Sequence, residues 1–462
     1  MNTFWQKNIK VFERFFVLLL LTYVFLTMTL GRTFSLFHIG NLYITEVIFF
    51  LSIIIIFINI KEIGEIPRFF VVLFLIYFIF GIVCMLSGLL QGNFFVLRDV
   101  VLWGYPVLFP LIFIIFSKKH NLVKLLWIIV ASNILGLLLS RFMLYRALEL
   151  PTCLQFLTKF KSFNYILYYG ISMAFLTSFF FFVTLRLQKF FILLLCALNL
   201  YMLFAWGVRA ALPAIFFLSI FFLFRMPIKK VMKFSLYLLP LFIIVAFLSL
   251  YISDFNIVRK SVMAKLSSIK LFTSVYFEQK SVVNKASNSS DRTNTPGKKE
   301  IMDNILSSKI PQEYKEGYNN IEWRIGIWKA LLGYGLESPI IGKGFGFYPI
   351  LSPIPLKLGP ESGIKPAHNH LITIFYKMGF FGLVLFIFLS VYTFLYGFFY
   401  LQVCKTKYIK AFLMGCLGSF IFWHSLALFF DVIDSPPTSI FLWVIMGLIF
   451  GCVQADIIEN KI

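Results

Sequence analysis

Charge is scarce in this chain: Asp, Glu, Lys and Arg together make up 13% of its residues, against 60% hydrophobic residues and 60 phenylalanines. A soluble domain of 462 residues cannot hide that much apolar surface in one core, and the mean hydropathy of +0.89 excludes that class. Strict apolar/polar alternation is also missing, which excludes a β-barrel and leaves continuous apolar runs that read as helices. The six cysteines, Cys84, Cys153, Cys196, Cys404, Cys416 and Cys452, lie mainly in apolar segments and offer neither a disulfide framework nor metal-ligand spacing. Histidine is rarer still, with five in all, and there is no internal repeat.

What is present is a series of runs long enough to cross about 30 Å of hydrocarbon. They fall near 14–31, 42–60, 69–90, 100–117, 123–140, 165–184, 188–206, 209–225, 231–252, 371–400, 409–430 and 437–455. The expected fold is therefore an all-α polytopic membrane protein with about twelve transmembrane helices and one large extracytoplasmic loop before the tenth. Residues 1–252 carry helices one to nine, 253–370 form the loop, and 371–462 carry helices ten to twelve. The first run follows Lys7, Lys10 and Arg14 with no small-residue cleavage site after it, so an uncleaved span is expected.

Lys and Arg set the orientation. With the N-terminus inside, the inner segments hold 18 and the short outer loops 7, which predicts both termini in the cytoplasm. The net charge of +22 then needs no nucleic-acid partner, because cytoplasmic cations face anionic lipid headgroups. Inside the large loop, 281–300 is polar and expected to be a flexible insertion, while Ile321, Ile325, Trp328 and Leu332 recur at helical spacing in a helix ending near Gly335. "SPIIGKGFGFYPILSPIPLKLGP" follows as turns and extended chain.

Polar groups at the edge of lipid need a reason. "KPAHNHLI" reads as a helix start, with Pro366 suited to a first turn and Asn369 able to satisfy free amides. His368 there lies near the positive end of a helix dipole, which favours the neutral imidazole that a general base requires; the alternative is an interfacial histidine that wets the helix. Arg209 opens an inward-running helix, so an arginine and free helix amides would face outward together, either as a diphosphate site or as a snorkelling cation. Arg324 and Trp328 stand one turn apart and read as a packing or cation–π pair. "GKGFGF" lacks a preceding strand and reads as a turn, with Lys343 a weak phosphate contact at most. Glu46 reads as a helix-capping or interhelical group, and Arg98, Asp99, His424, Asp431 and Asp434 have no role assigned from sequence.

Together these pieces resemble the O-antigen ligase and O-antigen polymerase superfamily. "EWRIGIWKALLGYGLESPIIGKGFGFYP" followed by "AHNHLITIFYKMGFFG" is similar to its hallmark region through Arg324, Trp328, Pro339, Gly342, Gly344, Gly346, His368, Asn369, Leu371, Gly379 and Gly382. "GVRAAL" resembles its Ser-Arg-Gly-Ala segment, with Val208 and Ala210 replacing Ser and Gly, and "LYITEV" its early helix. Lys377 and Met378 stand where many members carry a glutamate.

The resemblance implies a metal-independent glycosyltransferase of the bacterial inner membrane with no cofactor. Its donor would be an undecaprenyl-diphosphate-linked glycan, and its acceptor a sugar hydroxyl on a lipid A core or a growing glycan. His368 would take the acceptor proton, Arg209 and Arg324 would bind the diphosphate, and His370, Asn369, Trp328 and Lys343 would support them. A transporter or flippase for lipid-linked oligosaccharide is the competing reading, because twelve helices are also a common transporter number. Transporters, however, gather ionisable groups near the bilayer midplane, often in two related halves.

Overall fold

A computed structural model describes residues 2–30, 38–39, 42–90, 96, 99, 104–144, 165–205, 210–252, 312–346, 367–430 and 436–461. The described chain is helical apart from a minimal hairpin in which His38–Ile39 pairs antiparallel with Leu42–Tyr43. The helices are α1 (Asn2–Leu30), α2 (Ile44–Ile58), α3 (Ile60–Ile63), α4 (Arg68–Leu90), α5 (Leu108–Phe116), α6 (Lys119–Leu144) and α7 (Tyr165–Phe182). They continue with α8 (Arg186–Ala205), α9 (Ala211–Arg225), α10 (Ile228–Ile252), α11 (Gln312–Leu336), α12 (His370–Val403), α13 (Lys407–Ala427) and α14 (Pro436–Glu459).

Each of the apolar runs read from the sequence holds one of these helices. Among the described residues, 8 helices are long and apolar enough to cross a membrane, while α2, α7, α9 and the stretch Tyr105–Phe116 are shorter apolar helices. The helix expected over 301–336 is α11, starting at Gln312. Residues 253–311 and 347–366, which include the expected insertion and Pro366, lie outside the described residues, as do Arg209 and the loop 145–164.

Burial sorts the helices into a centre and a rim. Of the apolar windows, 94% of that in α14 and 83% of that in α13 is buried, against 22% in α4 and α10, so α13 and α14 form the core and α4 and α10 face outward. Phe69, Val72, Ile76, Ile79 and Val83 give α4 an exposed apolar face, as lipid contact requires. Small residues let the central helices approach: a Cβ on Gly170 of α7 would stand 2.0 Å from the Phe422 ring of α13. Asn133 of α6 and Asn199 of α8 exchange side-chain hydrogen bonds of 2.8 and 2.9 Å, a polar clasp in an apolar interface.

The short connections gather at one end. Lys118 pairs with Glu62 and Lys119 with Glu459, while Asp456 accepts from the Thr406 and Lys405 amides and the Tyr400 hydroxyl. His370, at the start of α12, belongs to the opposite end, since Arg225 at the close of α9 hydrogen-bonds the Phe398 carbonyl near the close of α12.

Candidate active site

The site is built around an interruption in α12. Gly379 has φ 66° and ψ −170°, so the α-helical ladder breaks there and continues beyond it. In an unbroken helix the amides of Phe380 and Phe381 would donate to the carbonyls of Tyr376 and Lys377. The turn after α11 satisfies all four groups instead. Phe380 and Phe381 donate to the Pro339 and Ile340 carbonyls at 2.7 and 3.1 Å, and Lys343 and Gly344 donate to the Tyr376 and Lys377 carbonyls at 2.8 and 3.0 Å. Contact is close enough that a Cβ on Gly342 (φ 71°) would lie 2.5 Å from the Gly379 nitrogen, and one on Gly379 2.3 Å from the Ile340 oxygen. Both glycines are therefore required by backbone conformation and by space.

Lys377 of this break is fully buried and pairs with Asp99, which is itself 2% exposed. The second Asp99 oxygen accepts from the Gly346 amide at 2.7 Å, and Phe345 donates to the Cys84 carbonyl of α4. One carboxylate thus holds the glycine turn and the α12 break together. Burying two charges is costly unless each meets the other with good hydrogen bonds, and here they do.

His368 sits two residues before α12 and is the one non-glycine residue at positive φ (51°) among the described residues. Its backbone is held from both sides. Trp328 of α11 donates its indole N–H to the Ala367 carbonyl at 2.6 Å. On the other side, the Asn369 side chain caps α12 by accepting from the Leu371 and Ile372 amides at 3.0 and 3.2 Å. Burial, with the Arg324 charge adding to it, pulls the His368 imidazole down to about 4. The neutral form expected from the helix dipole is present, but its main cause is loss of solvent.

Arg324, one turn before Trp328 on α11, donates Nη1 to the Phe429 carbonyl at 2.9 Å, and His370 hydrogen-bonds the Ala427 carbonyl. Two donors from different elements thus meet the carbonyls at the end of α13, where a helix leaves acceptors open. His370 is buried, with the Trp423 and His424 rings 5.8 and 5.5 Å away.

The structure therefore brings together His368, Arg324, Trp328, Asn369 and His370 at one end of the molecule. Lys343 pairs with Glu337 at the exposed edge of the turn. Arg209 lies outside the described residues; α9, which begins just after it, packs on α13. Sequence reasoning left Asp99 and His424 without roles and Lys377 unexplained. The signal was available: a cation inside an apolar run demands a buried acid, and Asp99 beside an apolar run was a candidate. Among the described residues no group of three or more His, Cys, Asp or Glu is placed to hold a metal ion.

Residues 191–387 of the chain match the family model described as O-antigen ligase. The matched stretch runs from α8 through the break in α12 and contains Arg209, Arg324, Trp328, the glycine turn, His368 and Lys377. No curated protein matches the chain. The chain thus carries an O-antigen ligase domain over residues 191–387, and with its long apolar helices this match supports a multi-pass bacterial inner-membrane protein of the O-antigen ligase and polymerase superfamily, whose ligases are glycosyltransferase-type enzymes.

Proposed function

We propose that this protein transfers a glycan from undecaprenyl diphosphate to a sugar hydroxyl at the extracytoplasmic face of the membrane. The neutral imidazole of His368 takes the proton of the acceptor hydroxyl as its oxygen attacks the anomeric carbon. The bond from that carbon to the diphosphate breaks, and undecaprenyl diphosphate leaves with the bonding electrons. Arg324 and Arg209 bind the diphosphate and stabilise the charge that grows on it. A single displacement of this kind inverts the anomeric centre.

The observation that carries the reading is the placement of His368: a half-buried imidazole, held neutral by desolvation, in a left-handed backbone conformation, clamped between the Trp328 bond and the Asn369 cap, within electrostatic reach of Arg324. Strained backbone held by its surroundings concentrates at working sites. The excess of Lys and Arg in the connections at the opposite end supports an orientation with this end outside, where lipid-linked glycans are presented.

Ligase and polymerase share this step and differ only in the acceptor. The test is transfer in proteoliposomes from an undecaprenyl-diphosphate glycan to two acceptors in parallel, a lipid A core and a second lipid-linked repeat. Transfer to the core marks a ligase, chain extension marks a polymerase, and movement of donor across the bilayer without transfer to either would overturn the reading in favour of a flippase.

A further inference from the structure

The basic end of the molecule, opposite His368, carries a groove that glycan transfer does not use. It lies between the end of α7, the start of α8 and the 230–244 stretch of α10, and has a volume of about 870 Å³. Arg186, Lys189, Lys230 and Lys233 all line it, and none of its lining residues is acidic. Lys189 Nζ stands 5.8 Å from the centre of the Phe180 ring, and Lys233 Nζ 5.9 Å from that of Tyr237, so two of the cations lie over aromatic faces at the groove wall.

The floor is apolar. Phe180 and Leu193 belong to a hydrophobic cluster with Phe234 and Leu238, separate from the main core. From Lys233 the groove continues past Pro240 and Leu241 to Ile244, about 16 Å along a helix axis and close to one leaflet of hydrocarbon. The outward face of α10, with Met232, Leu236, Leu239 and Ile243, is exposed and apolar. A small soluble anion would satisfy the cations but leave the apolar length uncovered, and a neutral lipid would do the reverse.

We infer that this groove binds a diacyl phospholipid with a net negative headgroup. The phosphate sits among Lys189, Lys230 and Lys233, and an acyl chain runs along Pro240, Leu241 and Ile244. Clusters of cations at the ends of membrane helices recognise anionic headgroups in this way. The site would tie the peripheral α10 to α7 and α8 through the lipid.

The experiment uses the full chain, purified in detergent and stripped of lipid, titrated separately with phosphatidylglycerol, phosphatidylethanolamine and inorganic phosphate, with bound lipid read by native mass spectrometry. Saturable binding of phosphatidylglycerol alone is expected. The triple variant Lys189→Gln, Lys230→Gln, Lys233→Gln should bind it about 100-fold more weakly, at about fivefold per lysine. A control triple, Lys405→Gln, Lys407→Gln, Lys410→Gln, should bind as the parent does, and Leu241→Trp, which fills the groove and keeps its charges, should also weaken binding. Equal loss in the control triple would mean general charge attraction and overturn the proposal. So would equal binding of phosphatidylethanolamine, displacement of the lipid by millimolar phosphate, or unchanged binding by Leu241→Trp.

Discussion

Lys377 and Asp99, 278 positions apart, form a buried ion pair that locks the break in α12 to the glycine turn after α11. Removing one partner leaves the other charge in an apolar interior. Lys377→Met is expected to destabilise the protein by about 3–5 kcal/mol, read as a shift in its unfolding titration in mixed detergent micelles. Adding Asp99→Asn, which keeps an acceptor for the Gly346 amide, should recover about 1–3 kcal/mol of that loss as coupling. Simple additivity of the two changes would show that the pair contributes nothing as a pair.

His368 is neutral well below the pH at which an ordinary histidine protonates. As the base, it should hold the acid limb of the kcat/KM profile near pH 4 in place of 6.5, because kcat/KM reports the free protein. The same depression has a sign for stability. The unfolded chain takes up the proton first, so stability contributed by this group is full above about pH 6.5 and is lost as pH falls toward 4. His368→Ala should lower kcat about 10²–10⁴-fold with little change in donor KM; an unaltered kcat would remove it as the base.

Arg324 acts on two partners, the His368 imidazole through its charge and the Phe429 carbonyl through Nη1. Arg324→Met should lower kcat/KM for the diphosphate donor about 10²–10³-fold and move the acid limb upward, since one of the two causes of the depressed His368 value is gone. Loss of activity with an unmoved limb would mean that the charge does not reach the imidazole.

Gly342 and Gly379 meet back to back with no room for a Cβ, both at positive φ. Gly342→Ala or Gly379→Ala should prevent recovery of folded protein from the membrane. Gly333, inside α11 with nothing within 4 Å of the place a Cβ would take, is the contrast: Gly333→Ala should fold and gain about 0.5–1 kcal/mol from helix propensity. Monodispersity on size exclusion and melting temperature separate the two outcomes.

The candidate site was partly legible because some of its parts are local. Asn369 caps the helix that starts at the next residue, and Trp328 and Arg324 share a face of α11, so spacing of a few residues was enough to single them out. Lys343, read from sequence as a weak phosphate contact at most, pairs with Glu337 six positions away, a partner the spacing did not single out. Asp99 and Lys377 could each be seen as costly near lipid, but nothing in one-dimensional spacing joins residues so far apart.

The sequence by itself determined that the long apolar runs are helical and where those helices lie among the described residues, because a backbone in hydrocarbon must satisfy its own hydrogen bonds and long apolar runs can do so only as helices. It also placed His368 at a helix start beside a polar cap. Only the tertiary structure decided how α12 is broken, which carbonyls receive Arg324 and His370, and why His368 stays neutral. Those depend on burial and on groups brought close from distant segments, and both arise only when the helices have packed.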